Sequence, residues 1–117
     1  MNEMSKNVEI NGQQYQLGRL RADVGNWVLT RLARATEEEF LRIQQHCLKA
    51  CKRYENDTPM PVMLADGRWA AKDLEYDTAA VFEIVSKTLE FNFESFFNGA
   101  AEKAQSLPTA ASGGNKV

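Results

Sequence analysis

The chain has 117 residues, 44% hydrophobic and 26% charged, with a formal net charge of −2. That length supports one core and is short for two ordinary domains, and the interleaved charge offers no broad basic field to a phosphate backbone, which argues against nucleic acid as the main partner. No run approaches the roughly 18 apolar residues of a membrane span, and MNEMSKN has no apolar secretion segment, so the expected setting is a cytosol without membrane contact.

In chain order, residues 1–5 show no pattern and are expected to be loose. VEINGQQYQL then predicts a β-hairpin. Asn11-Gly12 tolerates the positive φ angles of a type I′ turn, which pairs Ile10 with Gln13 and Val8 with Tyr15. Val8, Ile10, Tyr15 and Leu17 then share an apolar face that needs a lid, because an isolated pair of strands is only marginally stable. After Gly18, RLRADVGNWVLTRLARA reads as a short helix with Asp23 as N-cap and Val24, Trp27, Val28 and Leu32 on its inner face. Arg31 falls within that apolar stripe. Its aliphatic stem can lie over the core while the guanidinium reaches water, a carboxylate or a partner.

Thr36 to Glu55 predicts the central helix. Thr36 and Glu39 have the spacing of a capping box, and Phe40, Ile43, Cys47, Ala50, Cys51 and Tyr54 recur on one face. Cys47 and Cys51, four apart on that face, suit a disulfide poorly and are expected as buried thiols. Asn56 to Pro61 ends the helix with turn formers, and VMLADGRWAAKDL suggests two short extended pieces around Asp66-Gly67. Asp77 or Thr78 can cap a further helix to Leu89 or slightly beyond. Val81, Ile84, Val85 and Leu89 face inward there, Phe82 widens the stripe, and Asn98-Gly99 forms a stop. The expected fold is α+β, mainly α: an N-terminal β-hairpin packed on about three helices, with a second short hairpin near residues 62–70. Residues 1–99 form the single compact domain of this reading, and residues 100–117, too small and polar to offset ordering entropy, form a flexible tail.

The residues carry no catalytic, cofactor-binding or metal-binding signature. The glycines are isolated, with no phosphate-binding loop, and His46 with two cysteines cannot complete four metal ligands. Glu37/Glu38 and Asp73/Glu75 read as solvated helix and loop carboxylates. Surface is what remains. Phe91, Phe93, Phe96 and Phe97 crowd one short stretch, FNFESFF, where they either close the core or present rings to a partner. With Arg31 they are the candidate partner-binding residues.

The order of VEINGQQYQLGRL, Arg31-Leu32, ADGRW and NFESFF, spanning about Val8 to Phe97, resembles the tail assembly chaperones of long-tailed bacteriophages and prophages. The resemblance implies a protein made in the host cell cytoplasm that binds the tape measure protein, keeps it soluble, assists assembly of the tail tube protein around it, and is absent from the mature virion. It implies neither an active site nor a cofactor. The hairpin edge and apolar helix faces add an expectation of weak homo-oligomerisation. The alternative is a small helix-turn-helix-like nucleic-acid-binding regulator built on the turn at Ala35-Thr36. Against it, Glu37, Glu38 and Glu39 would meet phosphates at the start of the second helix.

Overall fold

A computed structural model describes the backbone of residues 4–106 and the side chains of residues 4–94. Strands β1 (Ser5–Ile10) and β2 (Gln13–Gly18) form the expected hairpin in the expected register, Ile10 opposite Gln13 and Val8 opposite Tyr15. Asn11 and Gly12 take φ of 53° and 79°, the left-handed pair that a two-residue turn requires. Ile10, Tyr15 and Leu17 are buried on the inner face.

The hairpin is half of a larger sheet. Lys52–Glu55 (β3) pairs antiparallel with β2, and Thr58–Pro61 (β4) pairs with β3, in the order β1-β2-β3-β4. This corrects the expectation of a mainly α arrangement, with an N-terminal hairpin on about three helices and a separate short hairpin near residues 62–70: the α+β architecture is a four-stranded antiparallel sheet with three α-helices among the described residues. The second hairpin is at residues 52–61 and not at 62–70, where a single bridge between Met63 and Trp69 closes a short loop. Asn56 and Asp57, read as the end of a helix, are the turn of the second hairpin, with φ of 53° and 66°. Tyr54 falls on the helical period, but its backbone carbonyl accepts from the Gln13 side chain at 2.7 Å. Its hydroxyl donates to Asn7 at 3.2 Å across the outer face of the sheet. These partners are some forty residues away in sequence. The register places Pro59 and Pro61 opposite Tyr54 and Lys52, the positions whose nitrogens face away from β3 and toward the free edge.

Helix α1 (Ala22–Arg31) is shorter than predicted. Arg21 holds the cap position without a side-chain bond, and Asp23 lies inside the first turn. Helix α2 (Glu37–Lys49) starts as predicted: Thr36 Oγ1 accepts from Glu39 N at 3.1 Å, and Glu39 accepts from Thr36 N at 3.0 Å. It ends a turn and a half early, closed by tight bonds from Ala50 N to Cys47 O and from Cys51 N to Leu48 O. Helix α3 (Thr78–Ser106) is capped by Asp77, whose carboxylate accepts from Ala80 N at 3.1 Å. It runs beyond Asn98-Gly99, where the sequence predicted a stop.

The core lies between the inner sheet face and α3, with α2 and α1 packed beside it. Val28, Ile43, Val62 and Ile84 are fully buried. Cys47 and Cys51 are buried thiols, as expected. Thr88 Oγ1 donates to Ile84 O at 2.7 Å, so in the 3.0 Å Cys51–Thr88 contact the thiol is the donor. On the sheet's inner face Arg53 reaches both Asp73 oxygens at 2.8 and 2.9 Å, tying β3 to the 3-10 helix Lys72–Tyr76. The same guanidinium holds the Asp73 carboxyl below its ordinary value.

Gly18 and Gly25 give opposite expectations. A Cβ on Gly18 would collide with the Ala50 carbonyl oxygen, whereas one on Gly25 would meet the Phe93 ring at an ordinary 3.7 Å. Gly18→Ala is expected to lower stability by about 1–3 kcal/mol. Gly25→Ala, inside a helix, should leave it unchanged or raise it by up to ~1 kcal/mol. Urea unfolding of both variants checks this; a Gly18→Ala chain as stable as the parent contradicts the close approach.

Candidate interaction surface

The sequence-nominated phenylalanines fall where α3 bends. Its backbone leaves helical geometry at Phe93, with φ −122° and ψ 23°. Just before the bend, the Asn92 side chain fastens the helix to the turn between β2 and α1. Its Nδ2 donates to Gly18 O at 3.0 Å and to Thr88 O at 2.9 Å, and its Oδ1 accepts from Leu20 N at 2.8 Å. One side chain thus satisfies the carbonyl of the last β2 residue and an N–H of the connection that leads to α1. Beside it Arg19 donates to Phe91 O at 2.7 Å and stacks its guanidinium 3.8 Å from the centroid of the Phe91 ring.

This arrangement splits the predicted cluster. Phe91 is core, 6% exposed beneath Arg19. Phe93 is half-buried, packed against the core on one side. On the other it lines a cleft of about 400 Å3 between α1 and the bend, with Leu20, Leu29 and Asn92 in the wall and Arg21 among the lining residues. The side chains of Phe96 and Phe97 lie outside the described residues. Arg31 is engaged elsewhere: its Nε lies 3.2 Å from Glu39 Oε2, so the capping-box glutamate also pins the end of α1 to the start of α2.

A second apolar surface was missed in the sequence. Phe40 and Phe82, both assigned to the core by their helical spacing, are 37% and 56% exposed, and Leu41 and Tyr76 are exposed nearby in sequence. Phe40 and Phe82 flank a groove between α2 and α3 that also includes Trp69. The available signal was stripe width. Val81, Ile84, Val85 and Thr88 already fill the buried arc of α3, and Phe82 lies beyond it.

The titratable groups point to no chemistry at either place. Burial pushes the Cys47 thiol up to about 12 and raises that of Cys51, leaving both protonated and unreactive. His46, half-buried with its ring edge-on to Trp27 at 6.0 Å, is shifted below its ordinary value, first by burial and then by Lys49. Among the described residues no group of three or more His, Cys, Asp or Glu side chains is placed to hold a metal ion. Nor is any helix among them long and apolar enough to cross a membrane.

A profile of the family described as phage tail assembly chaperone protein, TAC, matches residues 11–107, well over half of the chain. The chain belongs to that family. Its place is therefore in the assembly of phage tails, with phage tail proteins in general as its partners, and the family's description names a chaperone and no catalysed reaction. The match includes the bend of α3, both apolar surfaces and all of the candidate residues. No curated protein and no solved structure matches the chain.

The Asn92 bonds generate a direct expectation. Asn92→Leu removes two donor bonds and one acceptor and leaves the Gly18 carbonyl and the Leu20 N–H unpaired, at about 1–3 kcal/mol each, so the loss should total about 2–6 kcal/mol. A urea titration resolves a change of that size. Retention of parental stability would mean that water replaces the clamp without penalty.

Proposed function

We propose that the protein binds the tape measure protein during tail assembly, keeps it soluble in the host cytoplasm, and releases it as tail tube subunits assemble around it, remaining outside the finished virion. The observation that carries this reading is that a member of a tail assembly chaperone family leaves large apolar side chains, Phe40, Leu41 and Phe82, in contact with water. Such surface suits a client with long amphipathic helices that lie unpaired before assembly, since an apolar helix face can be covered reversibly in a groove. Phe93, at the cleft beside α1, is retained as a partner contact, together with Phe96 and Phe97. Arg31 serves the corner between α1 and α2 through Glu39, and a partner role for it would require that pair to open.

Co-expression with the tape measure protein of the same phage or prophage tests the reading. The tape measure protein should remain in the soluble fraction only when this chain is present, and the two should co-purify; equal solubility without it, and no co-purification, defeats the proposal. Alanine substitutions separate core from contact. Phe91→Ala is expected to destabilise the fold by about 3–5 kcal/mol. At least one of Phe93→Ala, Phe96→Ala and Phe97→Ala should keep its melting temperature and weaken binding by about 2 kcal/mol or more, the size of an interface hot spot.

A further inference from the structure

The groove between α2 and α3 is built on different residues from the cleft at the bend. Its walls are Phe40 and Gln44 from α2, Val81 and Phe82 from α3, and Trp69 from the loop before the 3-10 helix, and its volume is about 330 Å3. Leu74 in the lining and Val81 are buried, so α3 is already seated there without the help of Phe82. The Phe82 ring is therefore left over from folding, and Phe40 across the groove presents its edge to water at 37% exposure. Few polar groups converge in the groove, which suits side chains better than a hydrogen-bonded small molecule.

The charge in its lining is acidic. Glu75 is the sole charged residue among the described lining residues. Glu37 stands one helical turn before Phe40, and Glu83 directly follows Phe82; all three glutamates are exposed. Arg42 and Arg53, on neighbouring elements, are paired with Glu38 and Asp73. Arg68, which directly precedes Trp69, is paired with Asp66, and neither Lys72, one 3-10 turn before Glu75, nor Lys87, one turn after Glu83, is among the lining residues.

We propose that this groove seats an amphipathic α-helix whose apolar side chains, spaced three and four residues apart, enter between Phe40 and Phe82. Lysine or arginine side chains on the flank of that helix face Glu37, Glu75 and Glu83. Apolar ridge and basic flank answer the two properties of the groove, area and charge. A second copy of this chain is the poorer occupant, because an isologous pairing of grooves would bring like carboxylates together. The assignment rests on the tape measure reading for the source of the helix only; the chemistry recognised is independent of it.

Two synthetic peptides about five helical turns long test the groove directly. They share one leucine stripe and differ in flank, lysine in one and glutamate in the other. In a Trp27→Phe chain, Trp69 is the sole tryptophan and reports binding by its emission; calorimetry on the unaltered chain gives the same answer if that variant folds poorly. The lysine-flanked peptide should bind, more weakly as salt is raised, and the glutamate-flanked one should not. Phe82→Ser should reduce affinity by about tenfold or more at unchanged melting temperature. Glu75→Lys with Glu83→Lys should shift preference toward the glutamate flank. Equal binding of both peptides, binding of neither, or undiminished binding by Phe82→Ser overturns the proposal. It also falls if the peptides do not bind and Phe82→Ser dissolves a homodimer seen in sedimentation, because the groove then belongs to a second copy.

Co-expression separates the two readings. If Phe82→Ser still co-purifies the tape measure protein at parental yield, the groove assignment fails and the chaperone reading stands. If the parent chain fails to co-purify it while the peptide results hold, the reverse is true.

Discussion

The close crossing at Gly18 is the constraint on which the rest of the molecule depends. There the end of β2 runs so near the end of α2 that no Cβ fits beneath the Ala50 carbonyl, and the Gly18 carbonyl is held by Asn92 from α3. Sheet, central helix and long helix thus meet at one backbone position. The Asn92 side chain makes the junction specific, because it also receives the Leu20 N–H and so sets where the chain leaves the sheet for α1. Core burial supplies the driving force of folding but is non-directional, and these bonds choose one packing among those that would bury similar area.

What could be read in advance divides along the range of the interactions. The N-terminal hairpin, its register, the capping box of α2 and the Asp77 cap depend on residues within a few positions of one another, and each is legible in sequence. Lys52–Glu55 is not. Its residues continue the helical spacing of α2 and become a strand by pairing with β4 through the Asn56-Asp57 turn and with Tyr15 and Gln16 of β2, which seat the pair in the sheet. That partner is remote in sequence, and propensity cannot see it. The candidate surface shows the same division: FNFESFF is conspicuous by composition, yet one of its described rings is core. Phe40 and Phe82 hid because an apolar residue at helical spacing has no local mark that distinguishes a buried position from one just outside the seat.

The polar chemistry is consistent with binding by shape. Each cysteine is buried and its proton held in place by desolvation, and Arg53, the least exposed of the paired cations, is used to tie β3 to the 3-10 helix. Arg31, which lay conspicuously in an apolar stripe, is likewise used in a corner. These two arginines are committed to the fold, and the groove between α2 and α3 is left with exposed aromatic carbon and the Glu75 carboxylate in its lining.

The two prolines of β4 reach beyond local geometry. Their nitrogens point outward along one edge of the sheet and have no hydrogen to give, while β1, at the opposite edge, carries no proline. A strand arriving at β4 finds no donor at Pro59 or Pro61. Stacking of copies edge to edge in a repeating series, each β1 against the next β4, therefore loses two donors at every junction, and pairing of β1 with β1 would end after two copies. For a protein whose place is in the assembly of phage tails, the sheet acts as a chain terminator, a poor repeating unit for a fibre.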